Sequence, residues 1–273
     1  MDNAEREKIA WARTEPMEVV RNKLHFRAHH IDASTRNAPA GTSLKLPKEM
    51  ADTVNEIMKI WISRGGDPEA PDIKYIKRVV KRHLVYCKIG KSMLNKPNKP
   101  CSALEQKALL KIIRERRSTR IWTPKKVSRK LIERVLDAGR WAPSSCNRQG
   151  HHFIVVDKKR ELDFLTTQPI ADELKYAPVA ILVGYDSRAV VALEGVNLNA
   201  AAATQNILLA AHAFGLGACW IFKYVLQKKE LRDFFNVPEP IILTSVILMG
   251  WPADYPEAPA RMPLKEMIHY GRF

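Results

Sequence analysis

Three arginines and two hydroxyl residues occupy five consecutive positions, Arg116-Arg117-Ser118-Thr119-Arg120. Guanidinium groups bind phosphate through paired hydrogen bonds, and a hydroxyl adds a neutral donor. The run follows a helical pattern and precedes Pro124, which places it at a helix end. A solvated basic helix end that complements the helix dipole has the same composition. By itself, the run indicates only a place where an anion could bind.

A second polar segment, Ala142-Pro-Ser-Ser-Cys-Asn-Arg-Gln149, is predicted to connect a helix to a strand. Its hydroxyl and amide side chains supply hydrogen bonds without bulk, which suits a flat heterocycle with polar edges. An ordinary connecting turn remains the alternative interpretation.

A glycine turn and an isolated arginine follow these segments in the chain. The Ala-rich pattern that begins near residue 194 ends in the tight turn of Gly215 and Gly217. This turn is not a G-x-G-x-x-G loop and has no acidic residue at the dinucleotide spacing, so a Rossmann NAD site is not supported. Arg261 stands alone after a Pro-rich stretch, and a surface arginine is its alternative role.

The elements that must position these residues alternate along the chain after Ser102. Helical patterns are predicted at 104–117, 128–140, 158–175, 194–214, 227–235 and from Leu264 onward. Strands are predicted at 152–156, 179–184, 217–222 and 241–249. Helices alternating with apolar strands indicate a sheet that is covered by helices on both faces.

Residues 1–102 have a different character and are predicted to form a basic, mainly helical extension before a domain at 103–273. Apolar stripes indicate helices at 50–62 and from residue 73, and the second carries Lys and Arg on its other face. Residues 39–43 look like a loop, and residues 95–100 look like a linker. A basic amphipathic helix can bind nucleic acid or a membrane. We favour the simpler interpretation, in which its apolar stripe packs within the protein.

The formal net charge is +16, and residues 1–102 carry 20 Lys or Arg against 12 Asp or Glu. Such a surface attracts polyanions and steers anionic ligands, although a generally basic protein is the plainer explanation. The four cysteines lack the spacing of a zinc or iron–sulfur site, so no metal is expected. The first residues contain no apolar signal segment, and we expect a cytoplasmic protein.

Taken in order, the four features resemble those of the nitroreductase family of FMN-dependent oxidoreductases. The resemblance covers about residues 104–273. Its specificity lies in the ordered set: R-R-S-x-R, then A-P-S-S-x-N-x-Q, then N-x-L-L-A-A-H-x-x-G-L-G, then G-x-P and an x-R-x-P-L tail.

The resemblance implies an α+β fold, with a central mixed sheet flanked by helices, in an intertwined homodimer that holds two FMN molecules. The FMN phosphate, ribityl chain and pyrimidine edge would be held by Arg116, Arg117, Ser118 and Arg120, with Arg261 as a further phosphate ligand. The flavin of the other subunit would be reached by Pro143, Ser144, Ser145 and Asn147. The reactive N5 side of the ring would face backbone groups around Trp220, Ile221 and Phe222.

The resemblance also implies a ping-pong transfer of electrons from NAD(P)H or another reductant to an organic acceptor such as a nitroaromatic, a quinone or an activated alkene. The flavin would carry the redox chemistry while the protein orients the reactants. Reductive dehalogenation or oxidation of a peptide-derived ring is an alternative within the family, ranked lower because the short 186–194 segment offers no substrate-gripping lid. A second alternative is a flavin-containing protein that docks a polyanion or a redox partner through residues 1–102.

Two departures from the family pattern bear on the site. Gln149-Gly-His-His152 stands where many relatives have Gln-Pro-Trp, and His151 is a weak candidate for proton donation or substrate binding. A histidine at a strand edge is the favoured interpretation.

The short 186–194 segment indicates either an open site or one covered by the N-terminal extension. Cys146 and Cys219 would lie beside the flavin, and we interpret them as small buried side chains rather than redox groups.

Overall fold

The structure is a computed structural model that describes residues 9–37, 48–89, 98–170, 172–190, 192–222 and 224–273. Three helices form an N-terminal helical unit: α1 (Met17–Asn37), α2 (Glu49–Ser63) and α3 (Pro71–Ile89). Their apolar stripes meet in a core that includes Leu24, Ile31, Ile57, Trp61, Ile73 and Ile76. The predicted packing of the two amphipathic helices is therefore confirmed. Docking to nucleic acid or a membrane, which was not favoured, stays an alternative hypothesis.

Helix α1 was not predicted from the sequence, although Val20, Leu24, Ala28 and Ile31 recur at helical spacing and are all buried. Paired histidines and scattered charges between these positions obscure the stripe. The predicted loop at 39–43 lies outside the described residues, as do residues 95–97 of the predicted linker. No helix of the described segments combines the length and the apolar character needed to cross a membrane.

Four strands follow in the remainder of the chain: β1 (His151–Val156), β2 (Val179–Asp186), β3 (Gly217–Phe222) and β4 (Ile241–Gly250). They form one sheet in the order β1-β2-β4-β3, and each strand pair is antiparallel. The α+β class is confirmed. Parallel pairing, which the expected mixed sheet requires, is limited among the described residues to one bridge, between Ser118 and Ala218.

Helices cover both faces of this sheet. Helices α4 (Ala103–Glu115), α5 (Arg129–Arg140), α6 (Lys159–Thr166), α7 (Glu194–Ala213) and α8 (Lys229–Phe234) complete the described helices. Ile181 and Val183 of β2 face the core beneath α5 and α7, whereas Ala180 and Leu182 face the core beneath α6 and α8. Alternation of side chains along a strand explains why all eight residues of β2 are buried.

Several predicted helices are shorter in the structure. The helix predicted from Leu264 is wrong: the structure has a three-residue turn, Leu264–Glu266, at this place. Residues 253–273 are all exposed, so burial of an apolar face does not stabilise a helix in this segment. The pattern at 158–175 divides into α6 and a separate turn at Asp172–Tyr176. Helix α4 ends at Glu115, because Arg116 leaves the helical conformation.

Candidate functional site

Segment 116–123 is anchored to strand β3. Ser118 pairs with Ala218, and the backbone N–H of Thr119 donates to the Ala218 carbonyl at 3.1 Å. The indole N–H of Trp122 donates to the Gly217 carbonyl at 3.0 Å. These bonds hold the arginine-rich run at one edge of the sheet.

Arg116, Arg117 and Arg261 form a cluster of cations at this edge. Burial lowers the pKa of Arg116, and the neighbouring charges of Arg117 and Arg261 lower that pKa further. Arg117 donates only to the carbonyls of Arg114 and Arg116, and Arg261 only to those of Pro259 and Ala260. Within the described residues, none of the three lies within 4 Å of a carboxylate. Repulsion among cations without an acidic partner is the electrostatic pattern of an anion site.

Strand β3 supplies the surface beside this cluster. Trp220 is 38% exposed and Phe222 is 63% exposed, whereas Cys219 is 2% exposed. Strand β4 is the one described strand that pairs along β3, so beyond the bridge at Ala218 the outer edge of β3 is open in the described part of the chain. Two aromatic side chains and an open strand edge therefore border the arginine cluster.

The predicted polar loop, residues 143–149, contains three non-glycine residues with left-handed backbone conformation. Their φ angles are 51° at Cys146, 53° at Asn147 and 54° at Gln149. Such angles are uncommon outside Gly, Asn and Asp. Two hydrogen bonds hold this shape: Ser145 N–H donates to Asn199 Oδ1 at 3.1 Å, and Gln149 N–H donates to Ser144 Oγ at 2.9 Å. The loop is thus held in one specific conformation.

His151 begins β1 directly after this loop. Its Nε2 lies 3.1 Å from the Asn199 carbonyl oxygen, which requires a proton on that nitrogen. Its ring meets Tyr185 edge-on at 5.0 Å. Burial lowers the pKa of His151, the bond to Asn199 opposes that shift, and His152 adds to it. A neutral imidazole at a strand edge fits these contacts, while a catalytic role stays a prediction.

The two predicted walls of the site do not meet within one chain. Loop 143–149 enters β1 at one edge of the sheet, and the arginine cluster lies beside β3 at the other edge. Three strand spacings, roughly 14 Å, separate these edges. The structure therefore keeps Ser144, Ser145 and Asn147 apart from Arg116 and Arg261.

Comparison with known proteins agrees with this architecture. The model of the Nitroreductase family matches residues 113–175 and 165–251, which is more than half of the chain. The chain belongs to the nitroreductase family.

Two relatives illustrate the likeness of this nitroreductase domain. A Methanothermobacter thermautotrophicus protein, provisionally named NADH dehydrogenase/NAD(P)H nitroreductase, is 39% identical over 155 residues, covering 54% of this chain and 79% of the relative. The FMN reductase [NAD(P)H] of Bacillus subtilis is 27% identical, covering 59% of this chain and 72% of the relative.

Among solved structures, a nitroreductase from Desulfovibrio desulfuricans in complex with FMN is 33% identical, with a TM-score of 0.55. The alignment covers 60% of this chain and 97% of that chain. A Clostridium difficile structure named FMN-dependent nitroreductase is 28% identical, with a TM-score of 0.54, covering 60% and 99% of the two chains.

The nitroreductase domain also contacts the N-terminal helical unit. The guanidinium of Arg148, in loop 143–149, lies 4.3 Å from the centre of the Phe26 ring on α1. Beside this contact, a cleft of about 520 Å³ separates the two parts. Its lining includes Arg21, His25 and Asp72 of the helical unit and Gln149, Gly150 and His151 of the nitroreductase domain.

An ion-pair cluster lies on the helical side of this cleft. Arg21 binds both carboxylate oxygens of Asp72, at 2.8 and 2.6 Å, and His25 Nε2 lies 2.7 Å from Oδ2. Burial alone would raise the pKa of Asp72, but the bonds from His25 and Arg21 outweigh it and hold this pKa well below its usual range. This cluster was not predicted from the sequence, where Pro71-Asp72 indicates only the start of a helix.

Proposed function

We propose that the protein is an FMN-dependent oxidoreductase that transfers electrons from NAD(P)H to an organic acceptor by a ping-pong mechanism. The observation that carries this proposal is the cluster of Arg116, Arg117 and Arg261 beside an open strand edge. FMN reductase and nitroreductase relatives, one of them in complex with FMN, support it.

The residues present fit a phosphorylated flavin. A phosphate monoester bears nearly two negative charges at neutral pH, which the three arginines would neutralise without displacing any carboxylate partner. Trp220 and Phe222 offer exposed aromatic surface at the adjoining strand, where a flat ring can lie. FMN, when bound, supplies the hydride-transfer chemistry.

Each group of residues has its own part in this proposal. Arg116, Arg117 and Arg261 bind the phosphate, while Ser118 and Arg120 add donors toward the sugar chain and the pyrimidine edge. The positive charge of Arg120 near that edge would suit a flavin that carries negative charge there. Backbone groups of Trp220, Ile221 and Phe222 would position the reactive face of the ring.

The second wall comes from another copy of the chain in this proposal. Loop 143–149 lies at the opposite sheet edge, so Pro143, Ser144, Ser145 and Asn147 reach the flavin of a partner rather than their own. Helix α4 supports a homodimer because it leaves apolar side chains exposed. None of its residues is buried, and the exposed side chains include Leu104, Leu109, Leu110 and Ile113. Apolar side chains on a capped, well-formed helix are typical of a surface that a partner covers.

A subunit-complementation experiment tests the shared site. One chain carries R116Q and R261Q, and the other carries N147G, which removes the amide while glycine retains the positive φ. The two chains are co-expressed with different tags, and FMN absorbance per dimer is compared at a concentration that leaves both variant homodimers mostly empty.

Heterodimers should bind about half of the wild-type FMN, since one of their two sites is intact. No gain over the parents would show that each chain binds FMN alone, and failure of wild-type protein to bind FMN would refute the function itself.

A further inference from the structure

A second, smaller pocket lies between helix α1 and loop 143–149. It encloses about 250 Å³ and is lined by Trp11, Asn22, Lys23, Phe26, Arg27, Arg148 and Arg188. Four of these seven residues are cations and two are aromatic. We call it the basic pocket.

The cations of the basic pocket are poorly compensated. Arg27 is half-buried, and burial lowers its pKa without any acidic group opposing the shift. The described residues offer Arg27 neither a hydrogen-bond acceptor nor a carboxylate. A guanidinium stays charged at neutral pH, so this half-buried cation has no acidic partner among the described residues.

Two other cations of the pocket lie over aromatic rings. Lys23 Nζ is 4.0 Å from the centre of the Trp11 ring, and Arg148 is 4.3 Å from the centre of the Phe26 ring. A ring face orients a cation without neutralising it. Arg188 is the exception, because Asp186 binds it through two hydrogen bonds of 2.9 and 2.7 Å and Glu18 and Glu15 also lie near it. Lys23, Arg27 and Arg148 therefore form a group of three positive charges that no described carboxylate pairs with.

We propose that the basic pocket binds the 2′-phosphate and adjoining ribose of NADPH, with Arg27, Lys23 and Arg148 as ligands of the phosphate. This inference rests on the proposed function. Arginine is the residue that accommodates a 2′-phosphate in dinucleotide sites, because its planar group binds two phosphate oxygens at once. The helical extension thus makes the enzyme select NADPH over NADH.

The size and place of the basic pocket suit one end of the donor. A volume of about 250 Å³ holds a phosphorylated sugar but not a whole dinucleotide. Arg148 is adjacent in sequence to Asn147, whose side chain is proposed to reach the flavin. A dinucleotide that starts in the basic pocket therefore extends along loop 143–149 toward the ring that it reduces.

A binding measurement tests the pocket without turnover. Adenosine 2′,5′-bisphosphate, 5′-AMP and inorganic phosphate are titrated into the FMN-loaded protein by calorimetry. We expect the bisphosphate to bind at least about tenfold more tightly than 5′-AMP, and R27Q and K23Q each to weaken it by about tenfold. R78Q removes an exposed arginine from the same helical unit and should leave binding unchanged. Equal binding of inorganic phosphate and the bisphosphate would overturn the assignment to NADPH.

Steady-state kinetics separate this proposal from the proposed function. R27Q should raise KM for NADPH by about tenfold and leave both kcat and KM for NADH near wild type. Equal effects on the two donors, or none on either, would overturn the pocket assignment while the flavin enzyme stands. Protein that takes up no FMN and oxidises neither donor would instead refute the proposed function. R27K, which retains a charge but not the planar fork, should lie between R27Q and wild type.

Discussion

Thr119 packs so closely on Gly217 that a Cβ atom at position 217 would lie 2.6 Å from Thr119 Cγ2. Thr119 is 1% exposed and also donates its N–H to Ala218. Glycine at the start of β3 is therefore what lets the arginine-rich segment approach the sheet edge.

This contact predicts the effect of G217A. The added methyl must displace Thr119, which costs about 1–3 kcal/mol of unfolding free energy and shifts Arg116 to Arg120 away from β3. We expect a lower denaturant midpoint together with weaker FMN retention. G184A is the matched control, since its Cβ would lie 2.9 Å from Ile241 Cγ2, away from the arginine cluster. It should destabilise the fold to a similar degree and change FMN affinity far less. Equal FMN loss in both variants would contradict the assigned role of the contact.

The arginine cluster predicts a difference between FMN and riboflavin. R116Q and R261Q should each weaken FMN binding by about tenfold to a hundredfold, because each removes a charge-assisted bond to phosphate. Riboflavin lacks the phosphate, so its affinity should change by less than about twofold. Fluorescence quenching titrations measure both ligands. Parallel losses for FMN and riboflavin would mean that these arginines shape the ring pocket instead of binding phosphate.

Asp72 predicts a pH-dependent stability of the N-terminal helical unit. The folded-state pKa of Asp72 is lowered, so its contribution is complete well above the unfolded value of 3.8 and is lost as pH falls below that value toward the folded pKa. At pH 7, D72N should cost about 1–3 kcal/mol, because Arg21 and His25 lose their shared acceptor. The difference between wild type and D72N should shrink at pH 3. Hydrogen exchange of α1 and α3 amides reports on this unit specifically.

D52N provides the control for this prediction. Asp52 is exposed on α2 and belongs to none of the ion pairs of the described residues. Asp52 lies in the first turn of α2, so D52N should remove at most a helix-dipole interaction of about 0.3–1 kcal/mol. It should therefore change hydrogen exchange far less than D72N does at pH 7. A D72N effect that is the same at pH 7 and pH 3 would argue against a pH-linked ion pair.

The contact between Phe26 and Arg148 predicts that α1 stabilises loop 143–149. F26L retains apolar volume but removes the ring face under the guanidinium, a loss of about 0.5–1 kcal/mol. Faster hydrogen exchange in the loop and roughly a twofold to fivefold weaker FMN affinity should result. F26Y keeps the ring and should restore both quantities. Wild-type exchange rates in F26L would rule out coupling through this contact.

Local patterns in the sequence account for much of the nitroreductase domain. The four strands lie within two residues of their predicted positions, because continuous apolar runs specify buried strands. The predicted helices at 104–117, 128–140 and 194–214 also formed, with polar or glycine residues at their ends. The helix predicted from Leu264 did not form, since helical spacing of apolar residues does not stabilise a helix whose apolar face stays exposed. The resemblance to the family depended on the order of the whole set of motifs and not on any single motif.

The sequence by itself determined the chemistry of each wall: arginines for an anion at 116–120 and amide and hydroxyl groups at 143–149. Only the tertiary structure decided where the walls lie. The order β1-β2-β4-β3 puts β3, which the arginine run adjoins, and β1, which the loop enters, at opposite edges. Strand order depends on long-range pairing that no local pattern encodes. The same holds for Phe26 beside Arg148 and for Arg27 in the basic pocket. Their proximity arises from the packing of α1 on a loop far along the chain, which burial of non-local surface determines.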